Sequence, residues 1–282
     1  MQMRFSPLFS GSNGNSIYVE MGDARILIDA GVSGSRIVNA LSTHGVTPDM
    51  IDGILLTHEH SDHVSGAGIL SRKYDIPLYA TRGTWALMTG KLGKVSPSNI
   101  RELRAFEDFY IGRMGITPFP LPHDAAEPVG YSIAWGGRRV AVATDIGTLR
   151  GDWLEAVTRC DLVLLESNHD VNMLKAGRYP YDLKRRILGN HGHLSNEDAG
   201  RAAVKLAESG VGHIVLGHLS GENNFPQLAL RAVSDALEAE GFRPGLDIGL
   251  DVAKRNEPGG VYTLSAEESR FSRTEGQPFA WF

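Results

Sequence analysis

The chain has 282 residues, 42% of them apolar, and a formal net charge of −5. That length can bury a sizeable core in one large domain or two small ones, while no apolar run reaches the roughly 18 residues that span a membrane. The charge excludes a global basic footprint for nucleic acid, leaving only a local patch to serve that purpose, and the single cysteine, Cys160, excludes a disulfide framework or a CxxC site.

Met1-Gln2-Met3-Arg4 lacks the apolar stretch of a signal peptide, so a cytoplasmic protein is expected. Strands are predicted around 3–9, 16–20 and 25–29. Between the first two lies the turn-forming loop Ser10-Gly11-Ser12-Asn13-Gly14-Asn15. It reads equally as a plain hairpin turn or as a nest of backbone N–H groups for a phosphate. Helical spacing of Ile37, Ala40 and Leu41 marks a helix over 33–43.

Next comes the apolar run Gly53-Ile54-Leu55-Leu56-Thr57, closed by His58-Glu59-His60-Ser61-Asp62-His63. Imidazoles and a carboxylate directly after a buried strand fit a ligand loop for zinc or a similar divalent metal. Ligands two apart on an extended segment point to one side, and a tight turn carries the last pair to a second ion. A helix over 64–72 should open just behind the motif.

Further strands are predicted at 78–80, 116–121, 130–134 and 139–144, with 162–165 and 213–216 apolar enough to be central. Helices are expected at 152–158, 196–208 and 226–240. Ser195 caps the second of these, with Asp198 completing a capping-box-like pair. Cys160, before an apolar run, reads as a small buried hydrophobe; His44 and His213 read as surface or turn residues. Strands first, then strands mixed with helices, suit two packed sheets with helices outside: an α/β fold. One domain over 1–282 is expected, with 175–190 a polar excursion and about 266–282 a peripheral tail.

His123, Asp145 and His218 each follow an apolar strand-like run. Together with the motif they make a constellation that resembles the metallo-β-lactamase superfamily, which implies an αββα sandwich of two mixed sheets. By that resemblance His58, His60 and His123 hold one ion and Asp62, His63 and His218 the other. Asp145 bridges them, and Asp29 orients the motif from behind. Two divalent ions, zinc or manganese, then activate a water for hydrolysis, with Asp62 orienting it.

Fold alone does not select the substrate. Glu166 and His193 resemble the extra acidic and histidine motifs of the superfamily's nucleases, relatives of ribonucleases Z and J, and a phosphodiester needs such a proton donor for its poor leaving group. His191 shares that segment. The stretch 173–186 carries Lys184, Arg185 and Tyr181 among other basic and aromatic side chains suited to phosphates and bases. Segments from Ser10-Gly11-Ser12-Asn13-Gly14-Asn15-Ser16 through Glu166-Ser167-Asn168-His169-Asp170 and Gly192-His193-Leu194-Ser195-Asn196 to Gly217-His218-Leu219-Ser220 are similar to the YycJ/WalJ type. That resemblance implies a 5′-to-3′ exonuclease acting on nucleic acid, specifically DNA. The competing reading is a small-molecule hydrolase for a thioester, lactone or cyclic phosphodiester, which would use the same metals without Glu166 and His193.

Overall fold

A computed structural model describes residues 2–265 and 272–274. Two mixed β-sheets pack face to face. The first runs in the order Ser272–Thr274, Val261–Ser265, Gln2–Gly11, Gly14–Met21, Ala24–Ile28, Gly53–Leu55, Leu78–Thr81, Ile100–Leu103. The second runs Gly249–Val252, His213–Gly217, Leu162–Glu166, Arg138–Ala143, Val129–Trp135, Met114–Pro120, Phe109–Ile111.

Alternation along the strands explains the layering. Phe5, Val19, Ile26 and Ile28 from the first sheet meet Tyr131, Val140, Val142, Leu164 and Val215 from the second. The opposite face of the first sheet, with Leu27, Ile54 and Leu78, is covered by the helices Gly34–Ser42, Ala67–Tyr74 and Arg82–Leu92. The opposite face of the second, with Val163, Leu165, Ile214 and Leu216, is covered by Asn196–Glu208 and Pro226–Ala239. This is the expected αββα sandwich. Cys160 is fully buried in it, and burial pushes its thiol up to about 12.

Local chemistry fixes several boundaries. Ser195 accepts from the Asp198 N–H at 3.1 Å and donates to its carboxylate at 3.0 Å, so the capped helix begins at Asn196 as expected. The 10–15 loop is shorter than expected. The first two strands run on to Gly11 and from Gly14, and Ser12 and Asn13 alone make the turn. The helix expected over 64–72 is split into Ser61–Val64 and Ala67–Tyr74. At the break, Gly66 donates to the Ala30 carbonyl at 2.7 Å, and a Cβ there would lie 2.3 Å from the Val32 carbonyl oxygen. The helix expected over 152–158 is only the turn Trp153–Ala156. The expected tail at 266–282 lies outside the described residues apart from 272–274.

His44 occupies a turn but is buried, its Nε2 2.9 Å from the Ser6 hydroxyl. His213 is neither surface nor turn; it opens a strand and pairs with Asp251 at 2.8 Å. The polar excursion contains Tyr181–Ile187, just after the short helix Val171–Ala176.

Candidate metal centre

Every residue of the expected cluster stands at or just beyond the carboxyl end of a strand. Asp29 follows Ala24–Ile28, the His58–His63 motif follows Gly53–Leu55, and His123 follows Met114–Pro120. Asp145 follows Arg138–Ala143, Glu166 ends its strand, and His218 follows His213–Gly217. Parallel pairing within each sheet brings most of these ends to one rim, and Met114–Pro120, antiparallel to Val129–Trp135, which is in turn antiparallel to Arg138–Ala143, runs the same way as the latter. Asp29, Asp145 and His218 all adopt left-handed backbone, at φ 62°, 66° and 55°. Such φ values are uncommon away from glycine and gather at functional sites.

The donors fall into sets. Single donor atoms of His58, His60 and His123 lie within 4.8 Å of one another, as do those of Asp62, His63 and His218. Asp145 lies between the two sets. Its Oδ1 is 3.7 Å from His123 Nε2, and its Oδ2 is 3.3 Å from His63 Nε2 and 3.4 Å from His218 Nδ1.

Two observations test whether a divalent cation fits. Asp145 Oδ2 and His218 Nδ1 are buried without a hydrogen-bond partner among the described residues, a cost that a coordinated cation would remove. Burial, with His63 close by, also drives His58 well below the usual imidazole range, keeping it in the neutral form that ligates. Burial opposes charge on His63, yet Asp29, Asp145 and Asp62 outweigh it and hold its pKa well above normal, so the carboxylates favour positive charge at this spot. Burial raises the Asp62 carboxyl, but His63 at 3.4 Å prevails and holds it at about 2. The residues fit divalent metal.

Asp29 supports the motif without joining the donor sets. Fully buried, it accepts from the Thr57 backbone N–H at 2.9 Å and from the Thr57 hydroxyl, and its Oδ2 meets His63 Nδ1 at 2.7 Å. This fixes the imidazole by its far nitrogen, as ligating histidines require. Asn15 meets the same imidazole at Nε2, the nitrogen left for an ion. Its amide lies 3.2 Å from His63 Nε2 and donates to the Asp62 carbonyl at 3.3 Å. Gly31 has to be glycine, because a Cβ would sit 1.6 Å from the Asp62 carbonyl oxygen.

Glu166 and His193 pair beside Asp145. Glu166 Oε1 is 2.8 Å from His193 Nδ1, while Oε2 accepts from the backbone N–H groups of Ile146 and Leu194. Burial opposes a charge on His193, but Glu166 overcomes it and raises the imidazole to about 9. Behind His218 the Glu-Ser-Asn-His-Asp, His-Leu-Ser-Asn and His-Leu-Ser segments meet in a buried polar clamp. Asn168 donates to the His218 carbonyl at 3.0 Å, Ser167 to Asn196 at 2.7 Å, and Asn224 to the Ser167 carbonyl at 2.9 Å. Ser10 accepts from the His218 N–H at 3.0 Å.

A cavity of about 440 Å³ opens over this centre, and Ser12, Asn13, Lys91, Tyr179 and Arg186 are among its lining residues. The predicted contacts Lys184, Arg185, Tyr181 and His191 are not part of that lining. Lys184 is committed to the carbonyls of Lys175 and Gly177 at 2.8 and 2.7 Å. Arg185 lies over the exposed Tyr181 ring, and His191 is exposed, its carbonyl accepting from the Asp124 N–H.

Residues 24–219 match the family described as beta-lactamase superfamily domain. The chain is 39% identical over 250 residues to exodeoxyribonuclease YycJ of Bacillus anthracis, covering 87% of this chain and 93% of that one. It is also 39% identical over 246 residues to exodeoxyribonuclease WalJ of Streptococcus pneumoniae, covering 86% and 91%. Among solved structures, the metallo-beta-lactamase fold protein YhfI from Bacillus subtilis superposes with a TM-score of 0.68 at 17% identity, over 93% of this chain and 100% of that one. At that identity the likeness speaks for the fold.

Proposed function

This chain belongs to the β-lactamase superfamily, and on that premise we propose that it is a metal-dependent exodeoxyribonuclease digesting DNA from the 5′ end. The observation that carries the reading is the Glu166–His193 pair, which puts a raised-pKa imidazole next to the metal donors. The thiolate of a thioester leaves without such a donor; a phosphodiester with an alkoxide leaving group does need it. The names of the two relatives point to the same substrate class.

In this account His58, His60 and His123 hold one divalent ion, Asp62, His63 and His218 a second, and Asp145 reaches both; zinc and manganese both suit such donors. Bound there, the ions supply a water of lowered pKa and polarise the phosphoryl oxygens. Asp62, 24% exposed at its side chain, lines the cavity and would accept a hydrogen bond from the attacking water. Glu166 holds His193 in the doubly protonated form: Nδ1–H is given to Glu166, and the proton on Nε2 passes to the leaving oxygen as the P–O bond breaks, leaving the imidazole neutral. Glu166 touches no substrate; it positions His193.

Incubation with linear and covalently closed circular DNA tests this. The linear form should be degraded to nucleotides and the closed circle left intact; cutting of the circle, or no digestion of either, contradicts the reading.

A further inference from the structure

Two cations line the cavity beside the metal donors, and the hydrolytic account gives them no task. Lys91 comes from Arg82–Leu92, a helix packed outside the first sheet through Met88 and Leu92. Its ammonium donates to the Glu59 carbonyl at 2.8 Å, inside the metal motif, and makes no ion pair among the described residues. Two of its three N–H donors remain for a ligand. Arg186 comes from Tyr181–Ile187, in the excursion between the neighbouring strands Leu162–Glu166 and His213–Gly217 of the second sheet. Asp124 takes its Nε and Nη2, the latter at 3.0 Å, and so holds the guanidinium still with Nη1 uncommitted among the described residues. Tyr179, half-buried, lines the same cavity.

A single-phosphate ester would occupy the metal centre and leave both cations idle. A polynucleotide strand brings further phosphates at regular spacing and a base to stack. We propose that Lys91 and Arg186 form a phosphate subsite beside the metal centre, gripping the strand next to the scissile bond while Tyr179 stacks on its base. This rests on the nuclease reading and adds to it a substrate longer than one nucleotide.

The experiment measures binding of a fluorescent single-stranded oligonucleotide in chelator, by anisotropy across a salt series, so that cleavage does not intervene. Each phosphate contact contributes about 0.7 to the slope of log affinity against log salt for single strands. K91A and R186A should each lower the slope by about that amount. Y179A should weaken binding with the slope unchanged, since stacking releases no counterions. R231A, on an outer helix where Arg231 pairs with Asp235, serves as the folded-protein control and should match the unsubstituted protein. With metal restored, K91A and R186A should raise KM for the oligonucleotide. Oligonucleotide binding with the slope unchanged in K91A and R186A overturns the subsite alone. An unsubstituted protein that neither binds nor cleaves oligonucleotides overturns the nuclease reading beneath it as well.

Discussion

Glu166 Oε1 stands 2.8 Å from Nδ1 of His193, and the other oxygen of the same buried carboxylate is held by two backbone N–H groups. The glutamate therefore cannot swing away, and the imidazole it holds has its Nε2 left over for chemistry. His193→Ala should cut turnover on DNA by roughly 10²–10⁴-fold, the usual worth of general-acid help. On bis(p-nitrophenyl) phosphate, whose nitrophenolate leaves without a proton, the loss should be far smaller. Equal losses on the two substrates would remove the proton-donor role.

Metal content gives the second prediction. Because Asp145 approaches both donor sets, elemental analysis should find close to two divalent ions per unsubstituted chain and one or fewer in Asp145→Asn. Chelation should lower Tm, and added zinc or manganese should restore it, since an ion at a hundred times its Kd stabilises by about 2.7 kcal/mol per site. One ion in the unsubstituted chain would contradict the shared carboxylate.

Gly31→Ala is the third. A Cβ placed 1.6 Å from the Asp62 carbonyl oxygen forces the motif loop away. Overpacking of this kind costs about 1–3 kcal/mol or more. Metal capacity should fall along with stability; an alanine variant that keeps both ions and its Tm would show the approach to be slack.

The fourth concerns pH and lies away from the metals. Burial, aided by Arg4, lowers the pKa of His44. The unfolded chain, with its histidine near pKa 6.5, then binds a proton before the folded one does. The stability from neutral His44 is present above about pH 6.5 and is lost as pH falls through the lower, folded value. His44→Gln keeps a partner for Ser6 but does not titrate, so its Tm should fall less than the unsubstituted protein's between pH 7 and 5.5. Parallel falls would place His44 in water.

The candidate metal donors were legible because their segments follow apolar runs, and apolar runs that end in polar residues mark where strands reach the rim. The two sheets and the capped helix at Asn196 were legible for the same reason of pattern. Lys91 was not: a single lysine at the end of a helix carries no local signal, and only the fold brings it to Glu59. Nor could the stretch 173–186 say which of its cations faces the centre. Lys184 is spent on carbonyls and Arg186 faces the cavity, a difference of helical phase and of the partner Asp124 supplied from 62 residues away. The helix Arg82–Leu92 went unpredicted because glycine and threonine dilute its apolar face. Ser167, Asn168 and Asn196 of the polar clamp could be noticed as motif but not understood until the segments met, and Asn224 lay outside every motif.

The central claim is digestion of DNA from the 5′ end at a metal centre. Its most direct measurement is a time course on linear DNA labelled at the 3′ end, run with manganese or zinc beside an RNA of the same sequence. The account predicts a ladder of labelled DNA fragments that shorten with time and vanish with chelator. Immediate release of labelled mononucleotide, a ladder confined to RNA, or no product at all would contradict it.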